Sequence, residues 1–179
     1  MLILEIPGTE VFSSEKQEFL YGDSTVVRME HSLASISKWE SFWKKPFLGK
    51  EEKTSEEILS YIEFMCLTPD IPRDVFLRLS EENYRDINTY IGQEMTATWF
   101  SENSTGKISR EIITSEIIYY WMFSLQLPLE CEMWHFNRLM AQIKVINLKN
   151  QPKKKMSQQE VLAQQRELNQ KRRAEANHY

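Results

Sequence analysis

The strongest constraint on how this chain can fold is a change in its hydrophobic period after the first thirty residues. Before that point Leu2, Leu4 and Ile6 alternate with Ile3 and Glu5, the two-residue period of a strand with one buried face. Pro7-Gly8 is a turn signal. Val11-Phe12 and Phe19-Leu20-Tyr21 flank the polar stretch from Ser13 to Glu18 and read as a hairpin. Gly22-Asp23 turns again into Thr25–Met29, rich in β-branched residues. A small antiparallel sheet of three or four strands is expected over about residues 1–30.

Residues 31–49 are aromatic-rich and read as irregular or short-helical. Trp39, Phe42 and Trp43 fall at i, i+3 and i+4, with Pro46 and Gly49 as stops. Residues 38–48 are expected to pack against the sheet, with the apolar part of one Trp left near the surface. From residue 54 to about 148 the period is helical. Thr54 and Glu57 form a capping box ahead of the apolar face Ile58, Leu59, Ile62, Met65 and Cys66. Pro69 and Pro72 separate this helix from a short one carrying Val75, Phe76 and Leu79. Ser80 is placed to cap a third helix, with Tyr84, Ile87 and Ile91 on one side and Gly92 at its end. Met95–Phe100 is β-prone, and 102–107 reads as an exposed loop.

Two longer helices are expected over roughly 110–126 and 129–148, split by Pro128. Ile113, Ile117, Tyr120, Trp121 and Ser124 would face inward on the first, and Trp134, Phe136, Leu139, Met140 and Ile143 on the second. A break at Asn150–Pro152 and a capping box at Ser157/Glu160 open a terminal helix with few apolar residues. The resulting expectation is an α+β, predominantly helical fold. A small N-terminal antiparallel sheet packs on a helical bundle in a body of residues 1–150. Residues 151–179 form a linker and a basic C-terminal helix, projecting from the body and mobile.

Composition agrees with a packed body: 179 residues, 41% hydrophobic and 12% aromatic, which suffice for a core without staples. The net charge of −4 conceals an asymmetry. Residues 149–179 hold eight Lys/Arg and three Glu, and the rest holds 14 basic against 23 acidic side chains. An acidic body and a basic tail on one chain favour an anionic partner or tail-to-body self-association. No aromatic interleaves with the basic runs, so a nucleic-acid stacking platform is not expected. The opening residues lack a basic leader region, and no apolar run approaches membrane-spanning length. Reduced, buried thiols at Cys66 and Cys131 in a cytoplasmic setting are the corresponding expectation.

Chemical motifs are sparse. Cys131 and His135 stand four apart, a spacing that on a helix can share a metal, but no further ligand motif accompanies them, so no metal or other cofactor is expected. There is no nucleophile elbow, no phosphate-binding glycine loop, and the Glu pairs sit at helix starts, where capping explains them. A binding role rather than catalysis is expected. Eight Met, five Trp and nine Phe supply adaptable apolar contact. The candidate partner-binding residues are Trp39, Trp43, Lys153, Lys154, Lys155, Lys171, Arg172 and Arg173, although most of the Trp residues fall on faces that a core would bury in any case.

The segments Glu30–Leu48, Met95–Phe100, Glu111–Met122 and Trp134–Leu139, with the Lys153-Lys154-Lys155-Met156-Ser157 linker, resemble the tail assembly chaperones of long-tailed bacteriophages over nearly the whole chain. The resemblance implies a protein that keeps the tape measure protein soluble in the host cytoplasm while tail-tube subunits polymerise around it. It implies the tape measure and tail-tube proteins as partners, absence from the finished virion, and no catalytic residues. The alternatives are a structural virion component, such as a head-to-tail connector or tail completion protein, or a nucleic-acid-binding accessory.

Overall fold

A computed structural model describes residues 1–15, 17–100 and 112–150, with isolated positions 162, 165, 166 and 168–170. The chain divides into two compact units, Met1–Ile146 and Asn147–Tyr179. In the second, Leu162, Gln165, Arg166, Leu168, Asn169 and Gln170 are helical and exposed. Lys153, Lys154, Lys155, Lys171, Arg172 and Arg173 lie outside the described residues, as does most of the expected basic helix.

The first unit is α+β and mainly helical, as expected. Four strands, β1 (Leu2–Ile6), β2 (Glu10–Ser13), β3 (Glu18–Tyr21) and β4 (Thr25–Met29), precede all the helices. They do not form one sheet of three or four strands. β1 pairs antiparallel with β4, and β2 with β3, in two separate ladders. Both ladders share one register: continuing the Ile6–Thr25 pairing leads to Glu10 opposite Tyr21. The strands are therefore one long hairpin interrupted midway. Pro7 has no N–H to offer the ladder, and the backbones then approach so closely that a Cβ on Gly8 would collide with the Gly22 carbonyl. Gly22 N donates to Thr9 O at 2.8 Å across the gap. The alternation holds in β1 and β4: Leu4, Ile6, Val27 and Met29 are buried, and Ile3 and Val26 are exposed.

The helices are α1 (Leu33–Trp43), α2 (Ser55–Met65), α3 (Arg73–Phe76), α4 (Glu81–Ile91), α5 (Ser115–Ser124) and α6 (Phe136–Asn150), with a 3-10 turn at Leu129–Met133. Ser32, Thr54 and Ser80 each cap a helix through a reciprocal box with Ser35, Glu57 and Asn83, so three starts are fixed locally. α1 ends at Lys44, which takes a left-handed conformation (φ 57°) before Pro46 is reached. Tertiary bonds place the elements. Asn83 Nδ2 donates to Glu5 O at 3.0 Å, tying α4 to β1. Glu30 N donates to Met65 O and Leu67 N to Arg28 O, so the end of α2 covers the second edge of β4.

Several expected faces are corrected. α1 packs on α2 and α5 rather than principally on the strands. Trp39 Nε1 donates to Glu57 O, and Trp43 Nε1 to Ser60 Oγ, each at 2.8 Å. On α5 the buried residues are Ser115, Ile118 and Met122, while Tyr120 and Ser124 are exposed. Apolar side chains surround this helix, so hydrophobicity alone cannot choose its inner face. A tertiary contact chooses it: the Glu40 carboxylate accepts from Ser115 N and from Phe47 N, both at 2.7 Å. The expected helix 129–148 is broken, because Trp134 is extended (ψ 159°). His135 bridges to Ser32, and Phe136 N donates to His31 O at 2.7 Å. That local pairing replaces the helical bonds. Met95–Phe100 forms no strand; Phe100 lies under Lys144 Nζ of α6 at 4.1 Å.

Candidate functional site

Between α2 and α4 lies an open groove of about 360 Å³. Both walls run for two helical turns. Ser55, Ile58 and Ile62 follow helical spacing on α2, and Tyr84, Ile87, Asn88 and Ile91 do so on α4. The apolar face of each helix is wider than the core requires. Leu59 and Met65 point into the core, Ile62 and Ile87, each 2% exposed, form the closed floor of the groove, and Ile58, 42% exposed, is left at its edge. Phe47 and Lys53 close one side.

Tyr61, also in the lining, joins the groove to a buried polar cluster. Its hydroxyl lies 2.5 Å from His31 Nδ1 and 3.4 Å from Ser35 Oγ. The His31 ring packs edge-on against His135, centroids 5.2 Å apart, and His135 Nε2 meets Tyr90 O at 3.0 Å. Tyr90 donates its hydroxyl proton to Glu30 Oε1 at 2.5 Å. Burial, aided by His135, lowers the His31 pKa to about 4, so this imidazole is neutral at pH 7. Burial raises the Tyr61 and Tyr90 hydroxyls well above the usual phenol range, with the Glu30 charge acting in the same direction. The hydrogen bonds of the Tyr61 hydroxyl with His31 and Ser35 hold it in the groove wall.

The ion pairs of α2 lie outside the groove lining. Lys45 bonds Glu57 at 2.7 Å, which, with the Thr54 N–H, holds that carboxylate below its usual range. Arg73 pairs with Glu56 and Glu63. What the groove can do is receive apolar side chains along a two-turn slot, with few polar groups to fix orientation.

The sequence-chosen residues fall elsewhere. Trp39 is 1% exposed and belongs to the core. Trp43 is half-buried against α2, with Phe42 beside it and 65% exposed. Of the other Trp residues, Trp121 and Trp134 are half-buried and Trp99 is 95% exposed. Cys131 and His135 share no helix face, since the extended Trp134 separates them. Cys66 and Cys131 are free, and Cys66 is only half-buried. Among the described residues no group of three or more His, Cys, Asp or Glu is arranged to hold a metal, and no helix is long and apolar enough to cross a membrane. The groove residues were visible as apolar faces. That Ile58 and Ile91 extend past the buried stripe depends on how α2 and α4 are splayed, which spacing does not encode. Comparison with protein-family models, curated proteins and solved structures finds no match to this chain.

Proposed function

We propose that this chain is a tail assembly chaperone of a long-tailed bacteriophage. In this reading it binds the tape measure protein in the host cytoplasm, keeps it soluble, and meets the tail-tube protein as the tube grows. The observation that carries the reading is the open two-turn apolar groove between α2 and α4. Such a slot suits the apolar stripe of an amphipathic helix, and a long helical client offers that stripe many times over. Repeated weak contacts of this kind hold a client without burying it permanently. The segment resemblance supports the same assignment.

The test is co-expression with a tape measure protein from the same source, followed by co-purification. The expected result is a soluble complex that Ile58→Glu disrupts, because a charge is then placed on the groove wall. Recovery of the chain from purified virions would replace this reading with a structural virion component. Tape measure protein that stays insoluble in its presence would refute the chaperone role.

A further inference from the structure

Among the described residues lining the groove, Lys53 alone is charged. It is half-buried and held in place from two sides. Its Nζ donates to the Phe47 carbonyl at 2.7 Å and lies 4.5 Å from the centre of the Phe47 ring and 5.5 Å from that of Trp39. An ammonium has three N–H donors, and the Phe47 carbonyl uses one. Lys45, Arg73 and Arg78 each have a carboxylate partner, but among the described residues none pairs with Lys53. A cation positioned by aromatic faces and partly removed from water gains more from an anion than a fully solvated lysine does. Lys53 also precedes the Thr54 cap of α2, so it marks one end of the slot and not its middle.

We propose that the groove takes an amphipathic helix from a partner protein, with an apolar stripe two turns long and an Asp or Glu at one end that pairs with Lys53. The apolar stripe lies against Ile58 and Ile91, over the buried floor of Ile62 and Ile87, and the carboxylate fixes the direction in which the helix lies. This deepens the chaperone reading and rests on the groove being the client site. It defines the client class by chemistry: acid-flanked amphipathic segments are held in preference to base-flanked ones.

The test uses two labelled, helix-stabilised synthetic peptides with the same Leu/Ile stripe, one ending in Glu and the other in Lys, titrated with the full chain by fluorescence anisotropy. The Glu peptide is expected to bind about fivefold more tightly, the scale of one partly exposed charge pair. Lys53→Met, which keeps the aliphatic stem, should erase the preference. Lys53→Glu should reverse it, and the uncharged Ile58→Gln should weaken both peptides alike. Equal affinity of the two peptides for the unmodified chain overturns the charge rule and leaves the groove as the client site. Binding of neither peptide, or indifference to Ile58→Gln, overturns the groove itself. Failure of the tape measure protein alone to co-purify, with peptide binding intact, removes the chaperone reading but not the site.

Discussion

Lowering the pH from 8 to 5 should destabilise the fold through His31, by an amount that follows from its surroundings. His31 is buried between Tyr61, His135 and Phe136, and its pKa falls from 6.5 to about 4. The folded value lies below the unfolded one, so the unfolded chain binds the proton first. The stabilisation is therefore complete above pH 6.5, is lost as the pH falls towards 4, and loses nothing more below that. At pH 5 the unfolded imidazole is almost fully charged and the folded one is not. The loss from this residue alone is then about 2 kcal/mol, out of about 3.4 kcal/mol for the whole shift. Urea unfolding of the native chain and of His31→Gln at pH 8, 6.5 and 5 isolates the contribution, because other titrating groups act on both. The native chain should lose about 2 kcal/mol more than the variant between the end points. Parallel slopes would refute the argument. So would an NMR titration placing the His31 midpoint near 6.5, a measurement that does not depend on the variant folding.

Glu40→Ala leaves the Ser115 and Phe47 amides without their acceptor. It should cost about 2–4 kcal/mol in chemical denaturation, with Glu40→Gln milder because one oxygen still accepts. Trp39→Ala empties a site that is 1% exposed and should cost about 3–5 kcal/mol by the same measurement. An acidic body with a basic tail should associate at about 0.1 M salt and dissociate at about 1 M. Reversing Lys171, Arg172 and Arg173 to Glu should abolish that association, as light scattering would report; a monomer at both salt concentrations removes it.

Local signals proved the most legible. The capping boxes at Thr54 and the cap at Ser80 were readable because donor and acceptor lie three residues apart. The alternation of β1 and β4 was readable because each strand has one wet face. The hairpin interruption was not, since Pro7-Gly8 signals a turn equally well whether the strands end or resume in register. Nor was the orientation of α5, whose apolar residues surround the helix; its inner face is selected by a carboxylate 75 residues away. The break before α6 also depends on a distant strand-like pairing with Ser32. For the groove, the apolar residues could be read off but their use could not, because a wall and a core face share one spacing. Lys53 gave no signal, being one charge beside a cap until Phe47 and Trp39 are brought beneath it.

The distant carboxylate on α5 has a consequence for the order in which the molecule is made. Thr114 offers α5 no side-chain cap, so its first free amide is satisfied only by Glu40, from a helix translated much earlier. A ten-residue helix without a cap of its own is too short to persist in water. α1, which carries its own Ser32 cap, is translated first and can present Glu40, while α5 gains the Glu40 bond only on closure of a long loop. Until then Ile118 and Met122, both fully buried in the finished fold, have no place to go. The nascent chain is then expected to expose an apolar segment that needs shelter, as the client it is proposed to hold does.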